Sequence, residues 1–320
     1  MQVREYITGD EQEIAILFKV VFGRQLDLEL WYWRFIENPC GEGIIRLMFD
    51  DRSLIGHYAV TPTNLWFDGE VHKAAFSLTT MTHPDYWGRG VFPKLAAEVY
   101  GFCKESGIEI VFGFPNQNSY DGFTRKLGWR GCGRIKGWVI GKEPRRLLSG
   151  QGIYCEELSD FNKTVDGLWA RSRNSNTVTV QRTSEYCEWR YMKKPGKDYT
   201  TYGARDREGV LQGIIVLKLF PYGGDITGHI IDCIAEDKPD ILQVLLNRAA
   251  DYFTKNGVAR ITCWSAGNSL FGEQLDAMGF HKEEWSTFFG VKVLDNAMTD
   301  LSRINNLNRW RLTMGDSDVF

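Results

Sequence analysis

Apolar residues recur at helical spacing soon after the chain begins. Ile14, Leu17, Phe18 and Val21 fall on one face, and Asp10 with Glu13 makes a capping-box pattern ahead of them. From about residue 43 to residue 76 the pattern shortens to strand-length runs broken at Asp50-Asp51 and Asp68-Gly69, and 78–83 reads as further strand. A second amphipathic helix is predicted over 91 to about 104, with Phe92, Leu95, Val99 and Phe102 or Cys103 inward. Residues 108–114 then form a continuous apolar run of strand length. The same order returns later, where 226–235, 242–253, 258–264 and 270–278 supply strand, helix, strand and helix.

The return is more than a matter of pattern. Trp33-Arg34-Phe35, with Pro39 beyond it, matches Trp189-Arg190-Tyr191 with Pro195, 156 positions on. The segment around Gly107 resembles that around Gly257 at an offset of 150, and Leu127-Gly128-Trp129 resembles Met278-Gly279-Phe280 at 151. Asp10 and Asp160, each placed to open a helix, are 150 apart. Landmarks kept in order at a near-constant offset indicate two copies of one fold. Glu143-Pro144-Arg145 and Gly150-Gln151-Gly152 mark the boundary, giving domains of 1–148 and 149–320 in an α/β or α+β chain.

Composition narrows the function. Among 320 residues, 38 Lys and Arg against 41 Asp and Glu leave a net charge of −3, with no markedly basic segment. That argues against nucleic acid as a partner and against electrostatic membrane binding. No run approaches the length needed to span a bilayer, and the start is too acidic for a signal peptide. The seven cysteines and five histidines are scattered, without CxxC or HxxxH spacing. The expectation is a cytoplasmic protein with reduced thiols and no metal site.

The sharpest local signal is the strand–loop–helix run Leu78-Thr79-Thr80-Met81-Thr82-His83-Pro84-Asp85-Tyr86-Trp87-Gly88-Arg89-Gly90-Val91-Phe92-Pro93-Lys94-Leu95. Two glycines one residue apart let backbone N–H groups converge on one concavity. The helix start adds unpaired donors and the positive end of its dipole. Such a nest suits a phosphate or pyrophosphate, although a plain tight turn also fits.

These residues resemble motif A of the GNAT superfamily of N-acetyltransferases, which grips the acetyl-CoA pyrophosphate. The stretch Asn116-Gln117-Asn118-Ser119-Tyr120-Asp121-Gly122-Phe123-Thr124-Arg125-Lys126-Leu127-Gly128-Trp129 is similar to motif B of that family. The resemblance covers roughly 1–140 and continues through 151–295 as a degenerate second copy. It implies two GNAT-like domains, each a twisted, mixed, mostly antiparallel sheet flanked by helices. It also implies transfer of an acetyl group from acetyl-CoA, without a metal, to a primary amine of a small molecule such as an amino sugar. The amine would attack directly in a ternary complex. By the same resemblance the backbone and side chains of Trp87, Gly88, Arg89, Gly90, Val91 and Phe92 hold the pyrophosphate. Thr80, Met81 and Thr82 hydrogen-bond the pantetheine arm, with Asn116 and Asn118 at its far side.

The chain departs from the family pattern at three places. Trp87 stands where Arg or Gln is usual, and Phe92 where a small residue is usual. The motif B tyrosine, which serves as the acid toward the departing thiolate, is Thr124 here, with Tyr120 one turn earlier as the substitute. For the base, His83, Asp27, Glu29, Asp316, Asp318 and the Phe320 carboxylate are candidates, the last three because related tandem GNAT enzymes bring a C-terminal carboxylate to the active site. Trp31 or Trp33 is expected beside a substrate cleft. At offset 150, Gly88 and Gly90 become Lys238 and Asp240 among Glu236 and Asp237, so the second copy should bind no pyrophosphate. Two rival readings remain: an aminoacyl transferase of the peptidoglycan-bridge type, and a noncatalytic module binding CoA, a metabolite or a protein.

Overall fold

A computed structural model describes residues 1–320 except 142, 149–151, 197, 266–268 and 296–300; the expected boundary residues Gly150 and Gln151 lie outside the described residues. In chain order the elements are β1 (Gln2–Glu5), α1 (Glu11–Phe22), α2 (Leu28–Phe35), β2 (Ile44–Asp50), β3 (Ser53–Phe67), β4 (Glu70–Thr82), α3 (Val91–Glu105) and β5 (Ile110–Gly113). After a wide turn at Gly122–Lys126 come β6 (Arg130–Ile140), β7 (Tyr154–Glu157), α4 (Thr164–Ser172), β8 (Thr179–Val180) and α5 (Ser184–Cys187). The chain continues through β9 (Tyr199–Arg205), β10 (Leu211–Tyr222), β11 (Asp225–Ala235), α6 (Pro239–Lys255), β12 (Arg260–Trp264), α7 (Leu270–Ala277) and β13 (His281–Val293).

Two compact units result, and neither is continuous in sequence. One comprises Met1–Leu65, Val71–Cys132 and Phe288–Leu301; the other comprises Trp66–Glu70, Gly133–Thr287 and Ser302–Phe320. Each is a mixed, mostly antiparallel sheet with helices packed on it.

In the first unit the strand order is β1-β2-β3-β4-β5, followed by the C-terminal half of β13. Strand β4 runs parallel to β5, with Ala74 opposite Ile110 and Ser77 opposite Gly113, and α3 makes the crossover. The far side of β5 pairs antiparallel with Gly290–Val293. One face of this sheet takes α1 and α2, burying Ile14, Leu17, Trp31, Phe35, Leu47, Ala59 and Met81 together. The other takes α3, whose Val91, Leu95, Val99 and Cys103 meet Met48, Ile55, Tyr58, Val60 and Val111. The inward residue near the end of α3 is thus Cys103, while Phe102 is exposed under Arg46.

In the second unit the order runs from β6 through β12, β11, β10 and β9 to β7. Strand β11 is parallel to β12, from Thr227 opposite Arg260 to Ile230 opposite Cys263, and α6 makes the crossover. Strand β12 then takes Gly137–Ile140 of β6 as its antiparallel neighbour. A cut at residue 148 therefore separates the two sequence copies without separating the compact units.

The two crossover helices share one packing feature. A Cβ at Gly56 of β3 would run into Val91 and Leu95 of α3, and one at Gly213 of β10 into Ile241 and Leu245 of α6. Each crossover helix sits so close to its sheet that only glycine fits beneath its first two turns.

Two expected caps do not form. The Asp10 carboxylate makes no helix cap, because Arg4 holds both its oxygens at 2.6 and 2.7 Å and the Ile7 amide donates to it. Asp160 does not open α4 either: the Asn162 carboxamide receives the Thr164 amide instead. In both cases a stronger or nearer partner than the helix amides was available.

Candidate active site

The nest predicted at the head of α3 is present. Gly88 and Gly90 have φ of 76° and 77°, a region that side chains rarely adopt. A Cβ at either would meet nothing within 4 Å, so the space in front of the loop is open. Gly90 is the N-cap, its carbonyl receives the Lys94 amide, and the first-turn N–H groups of Val91 and Phe92 are left for an incoming acceptor. The exposed Trp87 indole N–H donates to the Thr82 carbonyl at 3.0 Å, tying the loop to the end of β4. Arg89 lies over the Tyr86 ring, and the Tyr86 hydroxyl donates to Asp50 at 2.8 Å. Phe92 turns its ring inward against Tyr58 and Phe123, so only its backbone faces the nest.

Upstream of the nest, β4 and β5 part company. Their last paired residues are Ser77 and Gly113, and β4 runs on beside β3 but without β5 through Leu78, Thr79, Thr80, Met81 and Thr82. Within that stretch Thr79 has φ of 50°. A β-branched residue there is a genuine outlier that strains the backbone by about 1–3 kcal/mol. The Thr79 carbonyl lies 2.7 Å from Nδ1 of His57, a residue of β3 with no exposed surface. Met81 is in the core of the α1–α2 face, so its backbone alone is available in the opening, whereas Thr80 and Thr82 are half-buried.

Motif B forms the other wall. Asn116 caps its own turn, its Oδ1 receiving the amides of Asn118 and Ser119 at 3.0 and 3.1 Å, while Asn118 is exposed. The Tyr120 ring stacks on Phe288, with centroids 4.3 Å apart, and its hydroxyl lies over Gly131, where any Cβ would collide with it. Thr124 donates its hydroxyl to the Tyr120 carbonyl.

Residues 2–132 match the family model described as an acetyltransferase (GNAT) domain. No curated protein matches the chain in sequence. Among solved structures it is similar to a conserved protein of unknown function from Enterococcus faecalis V583, a probable N-acyltransferase, at 13% identity and TM-score 0.72, covering 92% of this chain and 72% of that one. A GCN5-related N-acetyltransferase from Anabaena variabilis ATCC 29413 is similar at 15% identity and TM-score 0.72, covering 92% and 73%. One from Kribbella flavida is similar at 15% and 0.67, covering 92% and 71%. These likenesses show the fold.

Within the matched residues the structure brings Thr80, Met81, Thr82, Trp87, Gly88, Arg89, Gly90, Val91 and Phe92 into one strand–loop–helix. The other candidates fare differently. His83 caps the Pro84–Tyr86 turn, its Nδ1 accepting the Asp85 amide at 3.3 Å. Asp27 caps α2 through the Leu30 amide, and Glu29 is exposed. Trp31 and Trp33 are core residues, 2% and 3% exposed; the Trp31 ring packs on Tyr6, Tyr32 and Phe35.

Phe320, Asp318 and Asp316 fall in the second unit. The main-chain oxygen of Phe320 accepts from Arg190 Nη2 at 3.1 Å, Lys194 Nζ at 2.9 Å and the Tyr199 hydroxyl at 2.9 Å. Its ring, with His229 and Trp285, borders a cleft of about 500 Å³. Asp318 is exposed. Asp316 is fully buried in an ion cluster: Arg182 reaches Asp232 at 2.6 Å and Asp316 at 2.7 Å, and Tyr191 donates to Asp232 at 2.6 Å. Burial and the neighbouring Asp232 carboxylate push the Asp316 carboxyl above its ordinary value. Asp232, despite its burial, is held below by Arg182 and Tyr191.

Among the described residues the head of α6 in the second unit carries no comparable pair of left-handed glycines. Lys238 is the N-cap of α6 with φ of −124°, Pro239 follows, and Glu236 is bound by Lys238 and Arg171. Beyond the last β11–β12 pair, the tail lies against β11: Arg311 donates to the Cys233 carbonyl, and Gly315 sits against Asp232 and Tyr191. Among the described residues no group of three or more His, Cys, Asp or Glu is placed to hold a metal, and no helix is long and apolar enough to cross a membrane.

Sequence reasoning missed His57, Thr79 and Arg182. Two of the histidines have a consequence for stability. Burial lowers His57 to about 4, and burial with the nearby Lys218 and Arg260 lowers His229 to about 4. The unfolded chain therefore takes up protons below about pH 6.5 that the folded chain refuses until about 4. Stability should fall with pH across that window by up to about 1.4 kcal/mol per pH unit for each histidine. Urea titrations at pH 7, 6 and 5 check this, and replacing His57 by Asn should flatten the slope.

Proposed function

We propose that the chain is an acetyl-CoA-dependent N-acyltransferase whose single donor site is the opening between β4 and β5 together with the Gly88–Phe92 nest. The observation that carries it is the pair of left-handed glycines facing open space at the head of α3. The amides of Gly88, Gly90, Val91 and Phe92 would hold the pyrophosphate, and the lone edge of β4 at Thr80–Thr82 would hold the pantetheine. Acetyl-CoA supplies the activated acyl group; everything else falls to the chain.

The acceptor is an amine of a small molecule, which adds directly in a ternary complex, so no cysteine is acylated. Tyr120 is the proposed acid, fixed by its stack on Phe288 with its hydroxyl close to the β6 backbone. Phe320 is the less suited of the C-terminal candidates to act as a base, since three donors on its oxygen hold electron density and reduce its basicity. We propose that it orders the tail, and that the second sequence copy is a degenerate GNAT domain without a donor site, located with the first in the cytoplasm.

Mass spectrometry of an amine panel incubated with enzyme and acetyl-CoA tests the reading, the expected result being gain of one acetyl group with release of free thiol. Tyr120→Phe should fold normally and lower kcat about 10- to 100-fold, with little change in KM for acetyl-CoA. Full turnover by that variant would remove Tyr120 from the mechanism.

A further inference from the structure

We propose that His57 is a positioning residue for the acyl transfer: by holding the Thr79 carbonyl it aims the Thr80 amide into the opening beside β4, as a fixed donor to the acyl oxygen. The proposal rests on the functional reading above and adds to it a residue outside both motifs.

The argument begins with hydrogen positions. A carbonyl can only accept, so the 2.7 Å contact from His57 Nδ1 to the Thr79 oxygen requires the proton on Nδ1. The ring is fully buried and its pKa is depressed, so at neutral pH it is uncharged and Nε2 is bare. Among the described residues Nε2 has no hydrogen-bond partner. A residue kept only to fill this space would be apolar and would leave no orphaned nitrogen. Here one nitrogen is used and the other is left stranded, which indicates that the Nδ1 hydrogen bond is what the site retains.

What that bond fixes is the Thr79–Thr80 peptide. In a trans-planar peptide the C=O and the following N–H point in opposite directions. With the Thr79 carbonyl turned to His57 on β3, the Thr80 N–H is directed away from β3, to the side that β5 lines only as far as the Ser77–Gly113 pair. The strained φ of Thr79 produces the turn, and a strained residue persists only where its surroundings over-determine it. His57 is itself immobilised: its ring meets Phe35 edge-on at 6.3 Å, and the adjacent Gly56 is locked under α3. A preorganised amide facing the point where negative charge develops is the arrangement that lowers the barrier to acyl transfer.

Two variants of equal size separate the role from simple packing. His57→Asn places an amide N–H near the position of Nδ1, whereas His57→Leu fills the same volume without a donor. The expected result is kcat within about 3-fold of wild type for Asn. For Leu, kcat should fall by about 10-fold or more, with KM for acetyl-CoA changed by less than about 3-fold, because the nest is untouched. Equal kcat for the two variants, or a loss confined to KM, would overturn the proposal. Side-chain ¹⁵N NMR of the wild-type protein supplies a readout that needs neither variant to fold: a neutral Nδ1–H ring supports the assignment, and an Nε2–H or charged ring overturns it. A wild-type protein that acetylates no amine overturns the functional reading and this role with it, and the nitrogen spectrum distinguishes that failure from a wrong hydrogen bond.

Discussion

Gly90→Ala is expected to bind acetyl-CoA about 10- to 100-fold more weakly than wild type, and Gly107→Ala to bind it as wild type does. The two glycines have nearly the same φ, 77° and 75°, and a Cβ at either meets nothing of the protein. Backbone strain is therefore matched, and both variants should lose about 1–2 kcal/mol of stability. They differ in what lies in front of them. At Gly90 a methyl group intrudes on the space where the first-turn amides of α3 converge, and losing one charge-assisted hydrogen bond there is worth about 1.5–3 kcal/mol. Gly107 closes the other end of α3, remote from the nest. Isothermal titration of both variants checks the prediction, and equal losses in the two would show that strain alone is being measured.

The second large effect concerns stability. Arg182→Met leaves the Asp232 and Asp316 carboxylates buried together with no guanidinium between them. Both side chains are almost fully inaccessible, and Asp316 already sits above its ordinary pKa with Arg182 present. Removing one partner of a buried ion pair typically costs about 3–5 kcal/mol, because the remaining charge is uncompensated. For a chain of this size that corresponds to a fall in Tm of about 4–8 °C. Asp316→Asn is expected to be far milder, since it leaves one carboxylate facing one guanidinium. The sign of its pH dependence follows from the shift. A carboxyl whose folded pKa is raised favours the folded state more as pH falls through that value, so the Asn variant should compare best with wild type at high pH. Thermal unfolding of both variants at pH 6 and pH 8 tests this; an Arg182→Met protein as stable as wild type would mean that the cluster is hydrated and open.

Much of this could be read from the sequence. Gly88 and Gly90 between a strand and an apolar helix face pointed to a glycine turn at the head of α3, and the surrounding motif rather than the spacing alone favoured an anion nest over a plain tight turn. Helices α3 and α6 and strands β5 and β12 emerged from periodicity and run length. What escaped depended on partners distant in sequence. Leu78-Thr79-Thr80-Met81 has the β-branched and apolar makeup of an ordinary strand, so nothing local marks Thr79 for a positive φ. His57, in an otherwise apolar strand, becomes informative only beside the carbonyl it holds. Gly56 and Gly213 were visible signals, since glycine inside a strand often marks close approach by another element. Strands β6 and β13 were not among the elements predicted, and an alternating pattern would in any case fix a face and not a partner. Trp31 and Trp33 had the residue type of a sugar-stacking wall, and burial made them core instead.

The measurement that bears most directly on the central claim is a calorimetric titration of the wild-type protein with acetyl-CoA. One binding site per chain is expected, because among the described residues α3 alone of the helices starts from a pair of left-handed glycines, while α6 begins with Lys238 and Pro239 beside a bound Glu236. No binding, or two equivalent sites per chain, would contradict the account.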